Sequence, residues 1–158
     1  MINLADLCLV GLVLAYSLNL APMMFESFTS DRIWASNPPD SFHMFLGQYG
    51  QKTAHYWRVV SPLATITFIL SFIFNWHLVD RMFWLFAALA LYVAVQLATI
   101  AYFVPEQEGL IASARWLSRD VLQARAQRWI LLNHFRNVAG LLAYGFLMCA
   151  LLARSQAV

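Results

Sequence analysis

The sequence predicts an all-α integral membrane protein, a bundle of four helices that each cross the bilayer. Hydrophobic residues make up 61% of the 158 residues and charged residues 11%, whereas soluble domains have about 45–50% and about 25%. Four separate apolar stretches are each long enough to cross about 30 Å of hydrocarbon at about 1.5 Å per residue. Because these spans and their connections use nearly the whole chain, we expect a single transmembrane domain over 1–158.

The predicted spans cover about 4–22, 57–76, 82–104 and 129–153. The first carries Asp6, has no basic stretch before it and exceeds the usual length of a signal-peptide core, so we expect it to stay uncleaved. About 34 residues join spans one and two, about five (HLVDR) join two and three, and about 24 join three and four. Four crossings return the chain to its starting side. Both long connections therefore share one face, which we call the rich face, and both termini share the other.

The distribution of basic residues predicts the orientation. Eight of the ten Lys and Arg residues lie near the rich face: Arg32, Lys52, Arg58, Arg115, Arg119, Arg125, Arg128 and Arg136. The other two, Arg81 and Arg154, lie on the opposite face. The positive-inside rule thus predicts a multi-pass protein of the cell membrane with cytoplasmic long connections and external termini. A net charge of +2 and dispersed basic residues argue against nucleic-acid binding.

Each long connection has its own pattern. The first is rich in aromatics, which predicts a segment at the membrane interface or a cap over the bundle. These aromatics are Phe25, Phe28, Trp34, Phe42, Phe45 and Tyr49. The second keeps apolar residues at helical spacing through Leu110, Leu117 and Val121. This spacing predicts an amphipathic interfacial helix before the fourth span or a prolongation of that span.

Uncharged polar residues also lie inside the spans. Asn19, Gln96 and Thr99 fall toward the rich face, and the cost of a polar group in lipid predicts that they face the bundle interior. They would either bond one helix to another or line a pocket. Cys8 and Cys149 fall in apolar stretches, where we expect them to pack as small hydrophobes.

Polar and titratable residues converge at the rich-face end of all four spans, where a bundle commonly holds its ligand. The candidates are Glu26 after span one, His55 and Arg58 at the start of span two, Glu106 after span three, and Asn133, His134, Arg136 and Asn137 in the first turns of span four. The alternative is a solvated ring of helix ends that meets lipid headgroups.

Three chemistries would suit such a site. His55 and His134 with Glu26 or Glu106 could hold a single iron, copper or zinc ion, although no HxxxH, ExxH or CxxC spacing is present. The two histidines could instead ligate a haem. The third chemistry needs no cofactor: a neutral histidine abstracts a proton from a hydrophobic substrate, while Arg and Asn side chains stabilise the oxyanion.

For the third chemistry, His134 beside Asn133, Arg136 and Asn137 is the best local candidate. His55 and Arg58 complete the predicted catalytic set. For cofactors we expect either none or one metal ion, with haem as the weaker alternative.

The layout resembles the DUF1772, or anthrone-oxygenase-like, family of small four-span membrane proteins. The likeness rests on the long first connection, on YFVPE from Tyr102 to Glu106, and on WILLNHFR from Trp129 to Arg136. Where the family often has Pro-x-Asn, this chain has Pro105 followed by Glu and Gln, and either Asn133 or His134 matches the polar position before Arg136. The resemblance implies oxidation of a polycyclic phenol-like compound by dioxygen without an added organic cofactor.

The sequence analysis thus predicts a membrane-embedded oxygenase-like or redox protein that acts on a hydrophobic, phenol- or quinone-like small molecule. The alternative is a non-catalytic subunit or assembly partner of a larger membrane complex, which would dock through its aromatic first connection. Assembly as a homo-oligomer also stays open. Transport is disfavoured, because the sequence has no internal repeat and few intramembrane charges.

Overall fold

The computed structural model describes residues 3–48 and 54–153, and every regular element in these ranges is helical, which confirms the all-α prediction. In chain order the elements are α1 (Leu4–Phe28), α2 (Ser30–Trp34), a 3₁₀ helix (Asp40–Phe45), α3 (Ala54–Asn75), α4 (Val79–Ala98), a π-helical segment (Thr99–Phe103), α5 (Val104–Ser113) and α6 (Arg119–Leu152). Tyr49, Lys52 and Arg154 lie outside the described residues.

Four helical stretches are long and apolar enough to cross a membrane, which confirms a multi-pass membrane protein. They are Leu4–Trp34, His55–Asn75, Val79–Ser113 and Arg119–Leu152. The first, third and fourth stretches extend past the predicted spans on the rich face, because each helix continues into the more polar connection. Which face is cytoplasmic stays a prediction from the distribution of charge.

A capping box begins α1 at the first described residues. The Asn3 side chain accepts a hydrogen bond from the Asp6 backbone amide at 2.8 Å, and the Asp6 carboxylate accepts one from the Asn3 amide at 3.4 Å. These bonds satisfy amide groups that have no partner within the helix. The negative charge of Asp6 is also favourable at a helix N-terminus.

A π-helical segment separates α4 from α5. Pro105 lies at the start of α5, and a proline lacks an amide hydrogen and clashes with the carbonyl four residues earlier. The widened turn accommodates it, with the Val104 amide donating to the Thr99 carbonyl five residues back. Inserted turns of this kind often occur at functional sites.

The last helix is continuous over 34 residues from Arg119 to Leu152. No glycine or proline interrupts the sequence between Arg119 and Gly140, so nothing ends the helix where the fourth span was expected to begin. The part of the amphipathic segment from Arg119 onward is therefore a prolongation of span four, the second of the two alternatives. Leu110, in contrast, belongs to α5, and Leu117 lies in the turn between α5 and α6. The buried stripe of α6 on the rich face includes Leu122, Ala126 and Trp129.

The bundle is unevenly packed. Helix α1 packs against α3 and α6, and α4 packs along α6, whereas α3 and α4 approach each other at few points. Between α1 and α6 the Tyr16 hydroxyl donates to the Gly140 carbonyl at 3.1 Å. A Cβ on Gly140 would lie 2.7 Å from Met23 Cε, so any larger residue here would have to move the end of the Met23 side chain. The looser side of the bundle is the gap between α3 and α4.

The first connection folds back as a cap over the rich-face end. Trp34 and Phe42 are fully buried against each other, and the Trp34 ring lies 5.1 Å from Trp129 on α6. The Trp129 indole donates to the Phe103 carbonyl at 3.0 Å. Of the two alternatives for this aromatic segment, the structure favours the cap.

A second polar cluster ties the helices together at the opposite end. Arg81 on α4 is buried, forms an ion pair with Asp6 at 2.7 Å, and donates to Asn75 at 3.1 Å and to the Ala153 carbonyl at 3.2 Å. Asn75 donates in turn to the Ala5 carbonyl at 3.3 Å. These bonds join α1, α3, α4 and the end of α6, which indicates a structural clamp.

Candidate functional site

A cavity of about 1120 Å³ lies between the helices beneath the aromatic cap. Most of its wall is apolar, but polar side chains from every span and from the cap contribute: Tyr16, Asn19, Glu26, Asp31, His55, Arg58, Ser61, Thr65, Tyr92, Gln96, Thr99, Gln107, Glu108 and Arg136. A few polar groups in a mainly apolar cavity are typical of a small-molecule site.

Asp31 lines the cavity and forms a buried hydrogen-bonded pair with Asn133. The Asn133 amide donates to Asp31 Oδ2 at 2.7 Å, and the Trp34 indole donates to Asp31 Oδ1 at 3.3 Å. Both Asp31 and Asn133 are buried. The pair links α2 to α6, so the cap and the longest helix are held in register at the cavity.

Arg136 projects from α6 into the cavity beside this pair. Its guanidinium lies 4.4 Å from the centre of the Phe103 ring and donates to Thr99 Oγ1 at 3.3 Å. It interacts electrostatically with Asp31 and Glu26, yet it forms no ion pair with either in the described part of the chain. The cation thus contacts the rings of Phe103 and Trp129 and the Thr99 hydroxyl.

Three buried polar atoms of α6 have no hydrogen-bond partner among residues 3–48 and 54–153: Asn133 Oδ1, Arg136 Nε and Asn137 Oδ1. A buried polar atom without a partner costs about 1–3 kcal/mol. The Arg81 clamp at the other end shows that this chain can satisfy a buried guanidinium. Of these three residues only Arg136 lines the cavity, and its guanidinium is the group that a ligand in the cavity would meet.

Tyr92 forms a polar neck on the α3 and α4 side of the cavity. Its hydroxyl lies 2.9 Å from Thr65 Oγ1 and 3.1 Å from the Ser61 carbonyl, and it accepts a bond from Gln96 Nε2 at 2.9 Å. These bonds bridge α3 and α4 where the two helices otherwise separate.

Asn19 donates to the Val60 carbonyl at 3.1 Å. Asn19, Gln96 and Thr99 all line the cavity and all form hydrogen bonds.

The structure brings some of the predicted catalytic residues together. Glu26 and Arg136 line the cavity, with His55 and Arg58 more exposed at its mouth. Asn133 and Asn137 are buried on the same helix as Arg136.

The structure separates the other predicted residues from the cavity. His134 is exposed on the outside of α6, where its Nδ1 lies 2.8 Å from the Ile130 carbonyl, and it does not line the cavity. Glu106 forms a bidentate ion pair with Arg125 at 2.7 and 2.8 Å. Neither residue contributes to the cavity wall.

The predicted metal ligands do not gather into one centre. Across the described ranges no group of three or more His, Cys, Asp and Glu side chains is arranged to hold a metal ion. Glu106 is engaged by Arg125, and His134 lies outside the cavity that Glu26 and His55 line. The geometry therefore lends no support to a centre built from these four side chains.

Asp31 is the site residue that the sequence analysis missed. It falls in the predicted long first connection, but the helical stretch of the first span runs on to Trp34 and carries Asp31 into the bundle. One signal was available, because Asp31 lies among Phe28, Ile33 and Trp34. A carboxylate in so apolar a segment is expected to be buried with a partner.

No protein-family model, curated protein or solved structure matches this chain. The function of the protein is therefore inferred from the cavity itself. Its wall offers a guanidinium donor at Arg136 and a carboxylate acceptor at Glu26, within a volume large enough for a molecule of several rings.

Proposed function

We propose that this chain is a membrane-embedded oxygenase-like enzyme that binds a hydrophobic phenol- or quinone-like molecule in the cavity beneath the cap. The observation that carries the proposal is a partly unpartnered guanidinium, that of Arg136, in the wall of a mainly apolar cavity that Glu26 also lines. The cavity suits the rings of the molecule. Arg136 suits an oxygen that gains negative charge during reaction.

The reaction begins with a proton transfer. The substrate carbonyl accepts a hydrogen bond from Arg136, which acidifies the CH₂ group conjugated with that carbonyl through the aromatic rings. Glu26 takes the proton, because it lines the cavity and forms no side-chain hydrogen bond with another described residue. Arg136 then stabilises the enolate, and the apolar wall keeps water from competing.

Dioxygen completes the reaction as oxidant. The electron-rich enolate gives electrons to dioxygen, which is soluble in an apolar cavity, and one oxygen atom forms the new carbonyl. In balance, a CH₂ group and O₂ give a C=O group and H₂O. This is the activity that the resemblance to anthrone-oxygenase-like proteins implies.

The test uses anthrone, whose central CH₂ is acidic, with protein in lipid nanodiscs. Oxygen uptake and quinone absorbance are measured together. We expect turnover by the natural chain and a loss of about 100-fold or more in Glu26→Gln, the size of a general-base contribution. Asp80→Asn, which removes an exposed carboxylate on the opposite face, is the matched control and should keep full turnover.

Two results would overturn the proposal. Equal turnover in Glu26→Gln and Asp80→Asn would remove the assigned base, and His55→Gln at the cavity mouth would then test the predicted histidine. The absence of both binding and turnover would favour the alternative of a non-catalytic subunit. In that alternative the aromatic first connection docks onto a partner, but its Trp34 and Phe42 are buried inside this chain and do not reach the surface.

A further inference from the structure

An apolar groove runs along the outside of the bundle between α3 and α4. It has a volume of about 620 Å³ and is lined by Thr65, Phe68, Ile69, Phe72, Ile73, Trp76, Leu89, Tyr92 and Val93. Two of these side chains, Thr65 and Tyr92, carry a hydroxyl and lie at the end of the groove next to the cavity. The others are apolar or nearly so. The groove exists because α3 and α4 make few contacts.

The groove and the cavity adjoin each other. Thr65, Tyr92 and Val93 line both spaces, so the polar neck around the Tyr92 hydroxyl is the boundary between them. On one side of this neck lie Arg136 and Glu26. On the other side the groove continues from Thr65 to Trp76, about 16 Å along a helix with a rise of about 1.5 Å per residue.

We propose that the substrate carries a long hydrocarbon tail, which lies in this groove while the ring system occupies the cavity. This inference rests on the proposed function, and it names the substrate class as a tailed phenol or quinone taken laterally from the bilayer. This arrangement matches a substrate with a polar ring system and an apolar tail. The polar wall is at the rich-face end, and the apolar groove extends from the middle of the second span toward the opposite face, over about half of the hydrocarbon thickness.

The test compares two benzoquinone probes with the same ring, one bearing a decyl chain and the other a hydrogen at that position. Binding is measured in nanodiscs, with protein-free nanodiscs subtracted. Ile69→Trp fills the groove, and Ile66→Trp is the matched control. Both isoleucines lie on α3 with 55% and 54% exposure, but Ile66 lines neither space.

We expect Ile69→Trp to weaken decyl-benzoquinone binding about tenfold, the loss from removing roughly 55 Å² of apolar contact at about 25 cal/mol per Å². Its binding of the tail-less probe should match that of the natural chain, and Ile66→Trp should bind both probes normally. Each variant's constant is divided by that of the natural chain for the same probe, which cancels partitioning into lipid. Ile73→Trp, in the same groove, should repeat the result.

The outcomes separate the two proposals. If both probes bind the natural chain but Ile69→Trp and Ile73→Trp leave the decyl probe unaffected, the tail groove is wrong and the proposed function stands. If the natural chain binds neither probe, the inference falls together with the proposed function. An equal loss in Ile66→Trp would show a general effect of tryptophan on α3 and would also overturn the groove.

Discussion

At the scale of single residues, the surroundings of Arg81 and Arg136 differ. Arg81 is enclosed by Asp6, Asn75 and a backbone carbonyl, and this fixes the end of the bundle. The Arg136 guanidinium lies over the Phe103 ring and donates to the Thr99 hydroxyl, and its Nε has no partner among the described residues. A cation that the fold leaves partly unpaired can bind an external acceptor.

The Asp31 and Asn133 pair leads to a prediction about stability. Asn133→Ala should lower the free energy of unfolding by about 1–3 kcal/mol, because it leaves the buried Asp31 carboxylate without its donor on α6. His134→Ala changes the exposed neighbour and should stay within about 0.5 kcal/mol. Unfolding by titration with a denaturing detergent measures both. Equal losses in the two variants would show that the buried pair does not stabilise the fold.

Helical phase explains why the sequence analysis placed His134 at the centre of the site. Residues at intervals of three and four share one face of a helix, and Trp129, Asn133, Asn137 and Gly140 form such a stripe on α6. These four are buried, whereas His134 is exposed. His134 is close to Asn133 and Arg136 in the sequence, but its side chain points about 100° away from that of Asn133, because an α-helix has about 3.6 residues per turn.

At the scale of helices, the cavity depends on features that interrupt regular packing. The π-helical segment allows Pro105 to follow α4 and places Thr99 against Arg136. On the opposite wall, the side chains of Met23 and Leu20 on α1 fill the space that a side chain at residue 140 on α6 would take. The two walls therefore meet through one widened turn and one unusually close contact.

The glycine contact gives a prediction for α6. Gly140→Leu should destabilise the protein by about 1–3 kcal/mol relative to Gly145→Leu, because the new side chain must displace Met23 and Leu20. A Cβ at Gly145 meets nothing within 4 Å. Since both variants gain the same helix propensity, the difference in their unfolding free energies isolates the packing cost. Equal stabilities would mean that α1 and α6 can separate without loss.

Helix boundaries were predicted less well than the spans. Hydropathy located all four crossings, but the helices of spans one, three and four run further than their apolar stretches. The extension of α6 through Arg119 follows from the lack of any glycine or proline before Gly140. The conformation between Thr99 and Phe103 had no comparable signal, because a π-helical turn has no distinctive apolar spacing.

At the scale of the whole molecule, the two ends of the bundle differ in role. The Arg81 clamp closes one end, while the aromatic cap covers a cavity at the other. The gap between α3 and α4 was not predictable from the sequence. Residues that face lipid and residues that face the groove are equally apolar, as Ile66 and Ile69 illustrate, so only the packing of the helices distinguishes them.

The central claim is that Arg136 binds the polar end of a hydrophobic ligand inside this bundle. The most direct test is the affinity of anthrone for the natural chain, for Arg136→Gln and for Arg128→Gln, measured in nanodiscs. Arg128 is the matched control, because it lies on the same helix, is exposed and does not line the cavity.

We predict that the natural chain binds anthrone and that Arg136→Gln weakens binding about tenfold or more, since a hydrogen bond to a charged group contributes about 1.5–3 kcal/mol. Arg128→Gln should bind like the natural chain. Equal affinities in all three proteins, or no binding by the natural chain, would contradict the claim.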